Sequence, residues 1–422
     1  GRFGFNNANF LYVALVGVGP WRGIELNVAN SLLLMVATVQ ALIGLECAIR
    51  ERRNWKLPHL FAALTIIPIL DYTLLRGATS SPSSDAASGM LHLTLMTLLL
   101  AFLQRKDFSG SQALFELALI VFLAVLGVVI KLSSGIFSVG VVLLCVSLWL
   151  AHNRHDAKRA LRVIAGLGLV GGSVLVPWMF RGILLSGYPL YPSTLGAVPV
   201  SWRVPASSAE SEARWIYSWA RLPQHSPDEV LGNWAWLEPW LEKQRGISTV
   251  YLPALLAVAA VLLVIFRFVS DRKALARPGL AWMFLIPLTA ALVVWFLSAP
   301  NARFAVSLLY GTAIGGFLLA LSSFSRARVS LAVALLVALL LGWHVFEKAS
   351  PYLVRAGPNR GFYPVSSVEL ETYETNSGLT LYRPATGDRC FDAPRPCTPY
   401  PKPTLRLRGD SIRSGFEVGA AE

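Results

Sequence analysis

The sequence predicts an all-helical protein that crosses a membrane about ten times, and three observations support this fold class. Hydrophobic residues make up 55% of the 422 positions and charged residues only 14%, whereas a soluble domain carries roughly a quarter charged residues. Apolar runs of about 20 residues, the length that spans the hydrocarbon core of a bilayer, recur along the chain. Basic residues cluster in every second short loop between these runs, which is typical of proteins of the bacterial inner (plasma) membrane.

The chain begins with a mixed, aromatic segment that precedes the first long apolar run. Its short apolar stretch, residues 10–18, is too brief to cross a bilayer and predicts an interfacial helix that ends at Gly19-Pro20. Because Gly1 is not a methionine and no signal-like segment precedes the first long run, we expect an N-terminal truncation. The predicted spans are 26–49, 57–75, 87–103, 113–130, 135–151, 163–180, 250–269, 280–298, 304–321 and 330–346.

The net charge of +13 follows the loops and therefore predicts topology rather than nucleic-acid binding. We expect the basic loops to face the cytoplasm, and the C-terminus to lie outside it. This predicts a polytopic transmembrane domain, residues 1–346, followed by an extracytoplasmic tail, residues 347–422. The basic clusters lie at 50–56, 105–106, 154–162, 267–277 and 326–328. The segments that we expect outside are 1–25, 76–86, 131–134, 181–249, 299–303 and 347–422.

The longest predicted outer loop, residues 181–249, is rich in tryptophan and nearly balanced in charge. Segments 208–221 and 228–244 have helical spacing, and Ser226-Pro227-Asp228 supplies a cap and a first turn. Amphipathic helices with tryptophan belong at the level of the lipid headgroups. The proline-rich tail, in contrast, predicts a small appendage made mostly of loops.

Two of the four cysteines, Cys390 and Cys397, lie close together in the polar tail. If the tail is outside the cytosol, a disulfide between them is expected. Cys47 and Cys145 fall in apolar runs and predict inert core positions. No zinc-type spacing is present, so we expect neither a metal nor another cofactor.

Glycine spacings in the spans have two interpretations. Gly166-x-Gly168-x-x-Gly171 matches a dinucleotide-binding fingerprint, but it lies in a predicted span without a preceding strand. Close packing of helices is the favoured interpretation, because Gly168 and Gly172 form a GxxxG pair. Gly311 and Gly315 form a second such pair.

Several ionisable residues are predicted near the outer ends of spans. Such groups are costly at membrane depth and mark sites or pathways, although interfacial anchoring is the alternative for each one alone. For Asp71, which lies within an apolar run, the two interpretations stay open, and a polar cleft shared by these residues and open to the outside is the more specific hypothesis. The residues concerned are Asp71, Asp85, His92, Lys131, Arg181, Arg303 and His344.

A predicted helix end followed by a rigid turn, PWMFRGILLSGYPLYP, places Arg181 before two tyrosines, Tyr188 and Tyr191. The guanidinium fork of Arg181 suits a phosphate or diphosphate, and Arg303 lies in another short outer loop. We expect Arg181 and Arg303 to converge on an anionic, lipid-linked head group, with Lys131 and the two tyrosines also contacting substrate. Independent anchoring of each arginine at the interface remains open.

The same segments carry a resemblance to a known family. PW..R....SGYPLYP, the KLS turn at 131–133, the SSPSSD loop at 80–85, the APxxRF loop and the tail's C....PC element resemble a poorly characterised family of bacterial polytopic membrane proteins. That family in turn is similar to the GT-C glycosyltransferases. The opening RFGFN is similar to the end of the family's first outer loop, and Asn301 stands where the family tends toward an acidic residue.

The GT-C resemblance implies transfer of a sugar from a polyprenyl-phosphate donor to a glycan or lipid acceptor outside the cytoplasm. The usual catalytic carboxylate of GT-C enzymes lies in the first outer loop, so we expect it before Gly1. Asp71 and Asp85 are the acidic candidates within this chain. A transporter or flippase for a lipid-linked or anionic substrate, or a scaffold subunit without catalysis, are the alternative functions.

Overall fold

A computed structural model of the chain describes residues 6–21, 25–51, 56–76, 83–270, 279–322, 339, 342–343, 346–347, 367–387, 390 and 393–418. The described part is mostly helical. Its α-helices are α1 Ala8–Val16, α2 Glu25–Arg50, α3 Leu57–Leu64, α4 Ile66–Arg76, α5 Ser84–Leu103, α6 Ser111–Ile130, α7 Gly135–His152, α8 Ala157–Ser186, α9 Ala206–Arg221, α10 Pro227–Val230, α11 Leu237–Arg245, α12 Ser248–Ser270, α13 Leu285–Ser298 and α14 Val306–Ser322.

Seven helical segments of the described chain are long and apolar enough to cross a membrane, and two further apolar helices are shorter. Each of them corresponds to a predicted span. Most of the tenth predicted span, 330–346, lies outside the described residues. His344, within that span, also lies outside them. The long segments are Val28–Arg50, Ser84–Leu103, Ser111–Ile130, Leu132–His152, Ala157–Ser186, Ser248–Ser270 and Leu280–Ser298; the shorter ones are Leu57–Asp71 and Val306–Ser322.

Two of the predicted spans are broken. The run 57–75 divides at Thr65 into α3 and α4, and the run 280–298 begins as a 3₁₀ segment, Leu280–Phe284, before α13. Pro68 and Pro287 are each the third residue of the helix after the break. Proline lacks an N–H, but the first N–H groups of a helix have no intrahelical partner, so a new helix begins there without losing a hydrogen bond. The predicted span 57–75 therefore contains two successive short helices.

The chain divides into two compact units. The first contains the described residues within Gly1–Asn6, Val176–Ile216 and Gly361–Glu422, and the second those within Asn7–Leu175 and Tyr217–Arg360. The predicted boundary after residue 346 follows chain order. It stays a prediction. Within the first unit, part of the 181–249 loop packs with the tail, as in the cation–π contact of Arg408 over Trp202, 4.6 Å from guanidinium to ring centroid.

The second unit is built on α12 packed with α14, α2 with α3, α5 with α6, and α7 with both α6 and α13. Large buried side chains such as Phe61, Phe284 and Tyr310 fill its core. One predicted GxxxG pair acts as expected, since a methyl group on Gly311 or Gly315 would collide with Met96 or Phe284. The other does not.

Gly168 and Gly172 have only open space where a side chain would be, among the described residues. In the most apolar stretch of α8, only 6% of the residues are buried. The packing predicted for this glycine pair is therefore absent from the described chain, because the helix that carries it presents the pair to its surroundings. A tight GxxxG contact needs a partner helix as well as the glycines.

The tail in the first unit contains two antiparallel hairpins, so the fold is mostly rather than purely helical. Strands β1 (Leu370–Glu374) and β2 (Thr380–Pro384) pair with Leu370 opposite Pro384. Strands β3 (Leu405–Leu407) and β4 (Phe416–Val418) pair with Leu405 opposite Val418. Gly378, at φ +76, allows the tight turn between β1 and β2 that residues with a side chain disfavour.

Candidate functional site

A carboxylate held by two cations lies at one end of the second unit. Lys131 Nζ is 2.5 Å from Asp85 Oδ1, and Arg303 Nε is 3.2 Å from Asp85 Oδ2. The Asp85 and Lys131 side chains are nearly buried, whereas that of Arg303 is 52% exposed. We call these three residues the Asp85 triad. Its formal charge is +1, so it retains a capacity to bind an anion.

Local structure accounts for the positions of Asp85 and Lys131. Ser83 caps α5 by accepting a hydrogen bond from the Asp85 N–H, which places the Asp85 carboxylate in the first turn. Lys131 directly follows the last residue of α6. Negative charge is stabilised at a helix N-terminus and positive charge at a C-terminus, so each side chain suits its helix end. Burial lowers the pKa of the Lys131 ammonium, and the Asp85 carboxylate opposes that shift.

Aromatic rings surround the cations of the triad. The Phe304 ring lies 4.2 Å from Lys131 Nζ and 5.1 Å from Arg303 Cζ, and the Trp219 ring centroid is 5.3 Å from Arg303 Cζ. The cavity between Asp85, Ser88 and Arg303 has a volume of about 10 Å³, which is room for about one water molecule. The exposed face of Arg303, rather than this cavity, has room for an anion larger than water.

Beneath the triad, α5 continues with polar residues on the same side. Ser88 and His92 follow Asp85 at helical spacing, and His92 Nδ1 is hydrogen-bonded to Ser307 Oγ at 3.0 Å. The Phe137 ring packs edge-on against the imidazole, with centroids 5.0 Å apart. His92 Nε2 is buried and has no hydrogen-bond partner among the described residues. A polar face thus extends from the triad into the core.

Asp71 lies in a separate, fully buried arrangement. Tyr310 donates a hydrogen bond to Asp71 Oδ2 at 2.6 Å, and Ser248 donates one to Oδ1 at 2.8 Å. The Asp71 side chain is 0% exposed. Both carboxylate oxygens of Asp71 thus accept a hydrogen bond, and the network connects α4, α12 and α14. Tyr310 and Ser248 were missed by sequence analysis, because hydroxyl groups in apolar runs carry no distinctive pattern.

The loop that carries Arg303 is held by side chains of the tryptophan-rich segment. Arg221 donates hydrogen bonds to the carbonyls of Leu297 and Ser298, and Trp240 donates one to the carbonyl of Pro300. Asn301, which takes the place of the expected acidic residue, accepts a hydrogen bond from the Arg303 N–H at 3.2 Å. These hydrogen bonds therefore fix the position of the loop that carries Arg303.

Arg181, the second predicted phosphate ligand, belongs to the first unit. Its guanidinium donates a hydrogen bond to Asn6 Oδ1, while Asn6 Nδ2 donates to the carbonyl of Trp178 and Trp178 Nε1 donates to the carbonyl of Asn6. The end of the RFGFN segment and the PWxxR segment are thus joined by hydrogen bonds. Residues 2–5 of RFGFN lie outside the described residues. The predicted meeting of Arg181 with Arg303 stays a prediction.

Of the two tyrosines predicted to contact substrate, only Tyr191 lines a cavity of the first unit. Tyr188 is 1% exposed, and its hydroxyl group donates a hydrogen bond to the carbonyl of Val204 at 2.9 Å. Tyr188 is a core residue of this unit and follows Gly187, whose φ is +80. The substrate contact predicted for Tyr188 stays a prediction.

The tail cysteines form a disulfide, Cys390–Cys397, with Cα atoms 6.1 Å apart. Cys145 is buried and Cys47 is partly buried, and neither takes part in a disulfide. Across the described ranges, no group of three or more His, Cys, Asp or Glu side chains comes together in a way that holds a metal ion.

The fold defines a mostly helical, multi-pass membrane protein with a cation-rich site at helix ends. More particularly, the chain belongs to a family described as a domain of unknown function, DUF8201, whose profile matches residues 1–310. The matched region includes the Asp85 triad and the Asp71 network, and ends before the tail. No curated protein and no solved structure matches the chain.

Proposed function

We propose that this protein is a GT-C-like integral membrane glycosyltransferase with about ten spans. It uses a polyprenyl-phosphate-linked sugar donor at the extracytoplasmic face of a bacterial inner membrane, in cell-envelope glycan or glycolipid assembly. The observation that carries the proposal is the Asp85 triad. A half-exposed arginine and a nearly buried lysine flank one carboxylate at the ends of membrane-length helices.

In the proposed reaction, the bond between the sugar's anomeric carbon and the phosphate oxygen of the donor breaks. The phosphate leaves with the electron pair, and Arg303 and Lys131 stabilise its charge. The acceptor hydroxyl oxygen forms the new bond to the anomeric carbon, and its proton passes to the Asp85 carboxylate. When the donor phosphate replaces Asp85 as the partner of the two cations, the carboxylate becomes a better proton acceptor.

Asp71 has a supporting role in this proposal. Because Tyr310 and Ser248 occupy both carboxylate oxygens, Asp71 holds three helices together rather than accepting a proton from substrate. Arg181 remains a candidate for a second phosphate contact. Its contact with Asn6 is a neutral-acceptor hydrogen bond, which a phosphate oxygen can replace.

A transporter or flippase for a lipid-linked substrate is the second candidate, and the two broken spans favour it. Discontinuous helices are common at the binding sites of transporters. Here the breaks precede α4 and α13, where the Phe61 and Phe284 rings meet edge-on at 5.5 Å. These two rings carry no charge that an anion would bind, so the transferase proposal is preferred.

The test is a deletion strain complemented with variants, in which lipid-linked sugars and envelope glycans are measured by mass spectrometry. We expect deletion to remove one glycan substituent and to accumulate its polyprenyl-phosphate donor, accessible from outside in spheroplasts. Arg303→Lys and Asp85→Asn should reproduce this loss, because Lys lacks the bidentate fork and Asn accepts no proton. Arg383→Lys, at an exposed Arg–Glu pair of the first hairpin, is the matched control.

Two results would overturn the proposal. Complete glycans with Arg303→Lys, at normal protein levels, would show that this guanidinium does not bind substrate phosphate. A donor that accumulates only on the cytoplasmic side would instead indicate a flippase. The variant Arg181→Lys distinguishes a phosphate contact from an interfacial anchor, because the protein keeps its function with Lys if Arg181 is only an anchor.

A further inference from the structure

The first unit contains a cavity of about 350 Å³ that the proposed transfer reaction does not use. Its size falls in the range of small-ligand pockets, roughly 300–1,000 Å³. Three parts of the chain form it: the SGYPLYP turn, helix α9, and the segment of the tail that follows the disulfide. All of the lining residues belong to these three parts except Val204, which lies two positions before α9, and the parts are far apart in the chain.

Aromatic rings form one part of the lining. Tyr191, Trp215 and Tyr400 all border the cavity. The Trp215 residue is 41% exposed and Tyr400 is 54% exposed, so both rings are accessible. A flat ring with its negative face toward the ligand attracts C–H groups, which a pyranose ring presents on its apolar side.

Polar groups form the rest of the lining. Ser207, Ser208 and Ser211 project from α9, and Glu212 and Lys402 add one carboxylate and one ammonium. Hydroxyl groups both donate and accept hydrogen bonds, a carboxylate accepts two, and an ammonium donates three. This set matches a ligand with many hydroxyl groups. The formal charges of Glu212 and Lys402 cancel, which favours a neutral ligand over an anionic one.

The cavity wall is held in place on both sides. Tyr188, Tyr191, Val204 and Ala209 form a small buried core beneath it. On the tail side, the Thr398 N–H donates a hydrogen bond to the Tyr382 carbonyl, and the Cys390–Cys397 disulfide directly precedes Thr398. A cavity with fixed walls loses less conformational entropy when a ligand binds.

We propose that this cavity binds a neutral carbohydrate, one or two pyranose rings in size, with a sugar face stacked on Trp215 and its hydroxyl groups bound by the α9 serines and Glu212. The inference goes beyond the proposed function, because sugar binding here does not require that the chain transfers sugar. It gives the first unit a recognition role of its own.

The test measures binding of cellobiose, maltose and N,N′-diacetylchitobiose to the full chain in nanodiscs by calorimetry and saturation-transfer NMR. Glucose 1-phosphate and a Gly-Ser tetrapeptide serve as anionic and peptide counter-probes. We expect at least one disaccharide to bind with a dissociation constant below ~1 mM. Trp215→Ala should weaken that binding about tenfold or more, equivalent to about 1.4 kcal/mol. Trp234→Ala, at an exposed tryptophan of the second unit, is the matched control and should leave binding unchanged.

A second variant tests the proposal even if Trp215→Ala does not fold. Ser211 is exposed on α9, so Ser211→Trp should fold and fill the cavity, and it should abolish binding. The proposal is overturned if no disaccharide binds, if the tetrapeptide binds more tightly than every sugar, or if both variants bind like the wild type. Because binding is measured on purified protein, these outcomes are independent of glycan assembly in cells.

Discussion

Lys131 Nζ lies 2.5 Å from Asp85 Oδ1, where the C-terminus of α6 meets the N-terminus of α5. The two residues are 46 positions apart in the chain. Each charge lies at the helix end that stabilises it, and each offsets the cost of burying the other. Arg303 adds a second cation with an exposed face, which turns a structural ion pair into a candidate anion site.

The Asp85 triad leads to a stability prediction. Asp85→Asn leaves Lys131 nearly buried without its carboxylate, and we expect a loss of about 3 kcal/mol in the free energy of unfolding. The double variant Asp85→Asn/Lys131→Met should recover much of that loss, because no unpaired ammonium remains. Unfolding by sodium dodecyl sulfate in mixed micelles measures both. Equal stability of Asp85→Asn and wild type would contradict the ion pairing.

The Asp71 network leads to a second prediction. Tyr310→Phe removes the hydroxyl group that donates to Asp71 Oδ2, and we expect a loss of ~1 kcal/mol, the scale of interhelical hydrogen bonds in membrane proteins. Tyr217→Phe, at a tyrosine that is 43% exposed, is the control and should be neutral. In an Asp71→Leu background, Tyr310→Phe should cost less. An unchanged cost there would show that the hydroxyl group acts elsewhere.

The two glycine pairs offer a matched comparison. Gly311→Ala places a methyl group against Met96, so we expect a loss of about 1–3 kcal/mol from overpacking. Gly168→Ala meets open space and should be neutral or stabilise α8 by up to about 1 kcal/mol through helix propensity. Thermal unfolding of both variants in the same detergent decides this. A loss at Gly168 as large as that at Gly311 would indicate a partner that packs on α8.

The positions of the basic loops predict which segments of the chain face the cytoplasm. Reporter fusions at Arg53 and Arg355, neither of which lies among the described residues, should respond as cytoplasmic and extracytoplasmic respectively. A cytoplasmic response at Arg355 would reverse the orientation of the tail and remove the basis for an extracytoplasmic transfer site.

The disulfide gives an independent readout of compartment. Alkylation of denatured, unreduced protein should label two of the four cysteines, Cys47 and Cys145. After reduction, all four should react. Four labels without reduction would mean that the tail resides in a reducing compartment, because disulfides persist in oxidising ones.

Local features were predictable from the sequence because their causes are local. Run length and apolar composition correctly predicted where the long apolar helices lie, with ends that differ most at α8, Ala157–Ser186 against the predicted 163–180. Pro68 and Pro287 lie next to the two breaks, and the effect of proline is also local, since a missing N–H acts on the nearest helical turn. The hairpins were harder to predict, because short strands such as Leu405–Leu407 carry too few alternating residues to form a pattern.

Only the tertiary structure decided which polar residues meet. Asp71 and Asp85 look alike in sequence, yet one accepts hydrogen bonds from Tyr310 and Ser248 and the other pairs with Lys131 and Arg303. Tyr310 reaches Asp71 across 239 positions. Hydropathy determines that a segment enters the membrane, because water is excluded from the bilayer core whatever lies beside the segment. It does not determine which helices become neighbours or which side chains they bring together, because these depend on shape complementarity between packed surfaces.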